Sequence, residues 1–176
     1  MSARAGVVIR TSPRWDNQVK HLGYEPIAGN VSDRRRRVPT DIELIRASQE
    51  RLGKVKVIPA RSLTPSGQAH LELARGIARG VDGARELGGI HAAIIPPASD
   101  RVKTVGMYSR ITREIYIGSD QLERGQTTVD TLIHELAHHL SGAEDGEDAH
   151  NSAMTKVAAS VVDRVERGEF DQLLGE

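Results

Sequence analysis

Helical and strand periodicities alternate along residues 40–167, and their order restricts the chain to a mixed fold. "TDIE" at 40–43 is a capping-box pattern with Glu43 at the third helical position; Ile42, Leu44, Ile45 and Leu52 follow before Gly53 closes the helix. "KVKVI" at 54–58 alternates as a short strand. Thr64-Pro65 opens a second helix, whose apolar stripe of Leu71, Ala74, Ile77, Ala78, Val81, Ala84 and Leu87 runs to Gly88-Gly89. "IHAAII" reads as a buried strand. "RVKTVGMYSRITREIYIG" reads as two strands joined near 110–113, the second at 114–117. Helices are expected over 128–141 and 148–167. The class is α+β, and 176 residues hold one ordinary core but not a second full domain.

Residues 1–38 show no sustained apolar period and contain Pro13, Pro26 and the run Arg34, Arg35, Arg36 and Arg37. They are expected to form an irregular, partly disordered basic arm ahead of a single domain at 39–170. Lys plus Arg equals Asp plus Glu at 24 each, so only a local patch such as that run can favour a polyanion. Cysteine is absent, which removes disulfides, thiolate nucleophiles and sulfur metal ligands; any metal must be held by His, Asp or Glu. The opening "MSARAGVVIR" has too short an apolar run for a signal peptide. No segment reaches the roughly 18 apolar residues of a membrane span. A soluble cytoplasmic protein, with no membrane partner, is expected.

Four of the seven histidines and five acidic residues fall within 131–150, "TLIHELAHHLSGAEDGEDAH". His134 and His138 are four apart on a helix whose buried stripe is Leu132, Ile133, Leu136 and Leu140, so both imidazoles leave one face a turn apart. That spacing suits two corners of a tetrahedral Zn²⁺ site, while Glu135, about 100° around the helix, can reach a water on the metal. The expected chemistry is hydrolytic: the metal lowers the water's pKa to about 7 and Glu135, the base, takes its proton as it attacks a carbonyl. A third ligand must come from Glu144, Asp145, Glu147, Asp148 or His150. His150 is favoured, twelve residues past His138 and at the start of the next helix; Asp145, in the loop, is its rival. His139 points away from the pair.

"HELAH" after the strand-turn-strand "GMYSRITREIYIG" resembles the core of the zincin metallopeptidases, and the helix-first order with a later histidine is most similar to their SprT-like branch. The resemblance covers about 64–167. It implies a small mixed sheet whose edge hairpin packs on the active-site helix, with flanking helices and one Zn²⁺ per chain. It also implies a third ligand opening the next helix with a bulky residue four positions on, matched by His150 and Met154 in "HNSAM". The cysteine-rich zinc ribbon that many SprT-like proteins carry has no counterpart here. Ser141 and Glu144 depart from the metzincin pattern, and the cysteine ligand of peptide deformylases does not exist in this chain.

The implied activity is a zinc endopeptidase acting on extended or unfolded polypeptide, bound by strand addition along 114–117. Tyr116, on the face opposite Ile115 and Ile117, is the candidate for an oxyanion or substrate contact, although a packed ring is the commoner role; Tyr108 has the same standing. Some SprT-like relatives cleave proteins crosslinked to DNA, so Arg34, Arg35, Arg36 and Arg37 are candidate phosphate contacts. With aromatic residues at 3% of the chain, a base-stacking platform is not expected. Two other readings share the histidines: a metal-dependent nucleic-acid hydrolase, which has no need of Glu135, and a non-catalytic module with a structural zinc, which both His150 and Asp145 binding together would favour. His21, His70 and His91 are isolated.

Overall fold

The computed structural model describes residues 6–22, 24–28, 38–97 and 103–171. They divide between two units, Met1–Lys54 and Val55–Glu176. Together they carry five α-helices and two small sheets, an α+β composition. No helix among the described residues is long and apolar enough to cross a membrane.

In the first unit β1 (Gly6–Ile9) runs parallel to β2 (Tyr24–Ile27), with Ile9 opposite Ile27. The short helix α1 (Asp16–His21) supplies the crossover that a parallel pair needs, and Val8 and Val19 are fully buried. Helix α2 (Asp41–Gly53) starts as its capping box implies: Thr40 Oγ1 accepts from the Glu43 amide at 3.3 Å and Glu43 Oε2 accepts from the Thr40 amide at 2.9 Å.

The expectation of an irregular arm over 1–38 therefore fails where the chain is described. Strands of four residues and a six-residue helix are too short to display a period. Pro26, which read as a breaker, sits in a two-stranded sheet where an unpaired edge tolerates it. The boundary also moves, because the Ile9 amide donates to the Pro39 carbonyl at 3.0 Å and ties the approach to α2 to β1. Arg34, Arg35, Arg36 and Arg37 lie outside the described residues.

Asp41 joins the two ends of this unit. Its carboxylate, fully buried, accepts from the Thr11 amide at 2.8 Å, the Thr11 hydroxyl at 2.6 Å, the Ser12 amide at 3.2 Å and the Ile42 amide at 2.7 Å. Burial pushes the carboxyl up, but these four bonds outweigh it and hold it below the ordinary range. A depressed folded-state value contributes stability that is whole above the unfolded value of about 3.9 and is lost as pH falls through the folded one. Asp41→Ala, which strands those donors, is expected to cost roughly 1–3 kcal/mol in urea unfolding at pH 7. The difference from the parent should shrink below about pH 4; a penalty unchanged at acid pH would show that the carboxylate charge is not its source.

In the second unit the strands β3 (Lys56–Ile58), β4 (Gly89–Ile94), β5 (Gly106–Ser109) and β6 (Glu114–Gly118) form one mixed sheet in the order β3-β4-β6-β5. β4 and β6 are parallel, and the outer strands are antiparallel to their neighbours. Helices α3 (Pro65–Arg79), α4 (Gly125–Ser141) and α5 (Asp148–Glu166) share a core with one face of it. Leu71, Ile77, Leu132, Leu136 and Val157 from the helices meet Ile90, Ala92, Ile115 and Ile117 from the strands. The residues between these on each strand, His91 and Tyr116, lie on the other face, as period-2 alternation requires.

Two expectations change here. α3 ends at Arg79 with Gly80 as its cap, short of Leu87, although Val81 and Ala84 remain buried; the apolar stripe outlasts the helix. The hairpin forms as expected, but 114–117 is not the free edge. β6 pairs with β4 and β5 on its two sides, so the outer strand is β5. Both strands of a hairpin carry similar apolar patterns, and their sequence does not say which of them β4 will choose.

Candidate metal centre

Helix α4 carries Leu132 and Leu136 into the core with 0% exposure, and this orientation fixes where its polar residues point. His134 and His138 emerge together, their Nε2 atoms 3.3 Å apart. Gly142, left-handed at φ 64°, ends the helix, and its amide returns to the His138 carbonyl at 3.0 Å. The following loop delivers Asp145 and then the first turn of α5, which presents His150.

The result is a group of four, His134, His138, Asp145 and His150, whose candidate ligand atoms all lie within 4.8 Å of one another. Asp145 Oδ1 is 3.1 Å from His134 Nε2, 3.0 Å from His138 Nε2 and 4.0 Å from His150 Nε2. A Zn²⁺ tetrahedron with bonds of 2.0–2.1 Å has edges of about 3.3 Å; the separations to His134 and His138 are near that length, and the one to His150 is longer.

The protonation pattern suits a metal. The Ala143 carbonyl, which can only accept, lies 2.9 Å from His138 Nδ1. Nδ1 therefore carries the proton, and the Nε2 lone pair faces the cluster. Burial holds His134 below the usual histidine range; the Asp145 carboxylate opposes this, and the imidazoles of His138 and His150 add to the lowering. His150 is 1% exposed, yet among the described residues its Nδ1 has no hydrogen-bond partner, and its Nε2 lies 3.4 Å from the His134 carbonyl and 4.0 Å from Asp145 Oδ1. A cation would replace the long contact at Nε2, while Nδ1 would still lack a partner among the described residues.

Glu135 is 5% exposed and lies against β5. A Cβ placed on Gly106 would come within 2.7 Å of Glu135 Oε1 and 2.5 Å of Thr131 Cγ2, so only glycine lets the outer strand approach α4 this closely. Position 106 was silent in the periodicity, although a lone glycine in a strand is a sign of close backbone approach. Arg110 in the hairpin turn is a second residue that the pattern does not flag. Its Nη2 donates to the Ala143 carbonyl at 3.0 Å and pairs with Glu144 Oε1 at 3.0 Å, so the carbonyl that orients His138 is itself held.

The other candidates lie elsewhere. Tyr116 is buried, and its hydroxyl donates to Glu114 Oε2 at 2.6 Å. Burial first, and then that bond, push its pKa to about 12. It faces His91 across the sheet, ring centroids 5.6 Å apart, on the side away from Ile115 and Ile117. The tyrosine on the α4 side is Tyr108, whose hydroxyl meets His139 Nδ1 at 2.9 Å. His139 thus faces the hairpin and is absent from the group of four, as its helical position implied. His70 is tied by Nδ1 to the Leu122 carbonyl at 2.7 Å.

No family model, curated protein or solved structure matches the chain.

Proposed function

We propose that residues 55–176 form a zincin-like, SprT-like metallopeptidase domain, a zinc endopeptidase for extended or unfolded polypeptide. The observation that carries the reading is the convergence of three imidazole Nε2 atoms from α4 and α5, with a buried carboxylate, Glu135, one residue from the first of them and packed on the outer strand. His134, His138 and His150 would hold one Zn²⁺. When bound, zinc acidifies water and polarises a carbonyl. Glu135 is the base that receives the proton at a carboxylate oxygen, and its buried setting against β5 holds that oxygen in place. Among the described residues the sheet pairs β5 on one side only. Its other side supports strand addition by an extended substrate, with main-chain bonds that impose little side-chain preference; the strand that binds is thus 106–109. Tyr116, committed to Glu114, has no part in this scheme. The test is digestion of an unfolded polypeptide such as casein by the zinc-loaded chain, with the Glu135→Gln protein as the control.

A closed structural zinc site is the second reading, and Asp145 as a fourth ligand favours it. A buried Glu135 has no role in such a site, and this weighs for catalysis. We also propose a cytoplasmic location, and phosphate contact through Arg34, Arg35, Arg36 and Arg37. If that contact forms, replacing the four should reduce the slope of log affinity for DNA against log salt by up to about four; an unchanged slope would remove the arginines from the interface.

A further inference from the structure

Asp145 stands where a hydrolytic zinc site held by the three histidines would need an open vertex. Its Oδ1 stands 3.0–3.1 Å from two of the imidazoles and 4.0 Å from the third, which puts it opposite the face of the three histidines. Four protein ligands close such a site, whereas three with one exchangeable position make it reactive.

The four groups are held very differently. His134, His138 and His150 stand on helices, and their side chains are 41%, 13% and 2% exposed. Asp145 is in the loop with its side chain 73% exposed. Among the described residues it has no hydrogen-bond or ion-pair partner outside the cluster. The loop is pinned on both sides of it: Arg110 holds Ala143 and Glu144, and Glu147 Oε2 accepts from the Glu144 amide at 2.8 Å. The next residue, Gly146, has φ 80°, and a Cβ there would meet nothing within 4 Å. A small backbone rotation at 145–146 therefore has room to withdraw the carboxylate while the histidines stay in place.

We infer that Asp145 is a displaceable fourth ligand: it closes the metal site at rest and vacates its vertex to water or to the substrate's carbonyl oxygen. The inference rests on the zinc-peptidase reading and adds a gate to it. It also reconciles a complete tetrahedron with a catalytic role for Glu135.

The test uses the full chain loaded with Co²⁺, whose visible absorption reports coordination, and azide as an exogenous ligand. Asp145→Ala and Asp145→Asn should retain about one Co²⁺ at saturating metal. If the carboxylate holds the vertex nine-tenths of the time, azide should bind these variants about tenfold more tightly than the parent, and casein turnover should rise. Azide affinity equal to the parent's in both variants would overturn the gate, as would loss of Co²⁺ from both, which would make Asp145 an obligatory structural ligand. Failure of the peptidase reading looks different: tighter azide binding with no cleavage of casein leaves the gate standing and removes the activity.

Discussion

Zinc should be lost from the chain when either His134 or His138 is replaced by alanine. Each supplies an Nε2 atom to a cluster of four, and the two remaining imidazoles with an exposed carboxylate do not retain the ion tightly. His150→Ala should have the same effect, because His150 is the most deeply buried of the group and stands in the first turn of α5. Metal binding is linked to folding of its site. At a free zinc concentration a thousandfold above the dissociation constant, the parent gains about 4 kcal/mol that these variants forgo. Zinc content after dialysis, together with thermal unfolding with and without added zinc, reads both effects. Stoichiometric zinc in the His134→Ala and His138→Ala proteins would remove the site from the account.

The second large effect belongs to Glu135. Glu135→Gln preserves shape and hydrogen-bonding capacity but cannot accept a proton, so it should keep zinc and fold while cleavage of casein drops by roughly 10²–10⁴, the usual worth of a general base. The variant is informative because Glu135 is packed against Gly106 and not placed among the four ligating groups. A parallel loss of zinc would mean that the side chain positions the ligands. Undiminished cleavage would mean that the proton goes elsewhere.

Much of this centre is legible in the sequence, and the reason is local geometry. The helical period alone places His134 and His138 on one side of α4 and Glu135 to another, and the buried Leu132 and Leu136 orient the helix without reference to the rest of the chain. The capping boundary at Thr40 and the start of α3 at Thr64 are equally local: side-chain oxygens satisfy the first helical amides. His150 and Asp145 were both candidates, and the structure brings both to the cluster. Spacing could not foresee that, because the path of the loop between α4 and α5 decides whether one ligand excludes the other.

What stayed hidden depends on contacts between distant segments. The strand order β3-β4-β6-β5 is set by which hairpin strand β4 accepts, and this moved the free edge from 114–117 to 106–109. Arg110 acts through the Ala143 carbonyl, thirty-three positions away, and a turn arginine carries no sign of such a partner. The first unit combines strands too short to show a period with a buried Asp41, whose partners Thr11 and Ser12 lie about thirty residues upstream.

Zinc K-edge X-ray absorption on the zinc-loaded parent should show one zinc bound by three imidazole nitrogens and one oxygen at about 2.0–2.1 Å, with one imidazole fewer in the His150→Ala protein if any zinc is retained. A shell of six oxygens, or an imidazole count unchanged by His150→Ala, would contradict this coordination.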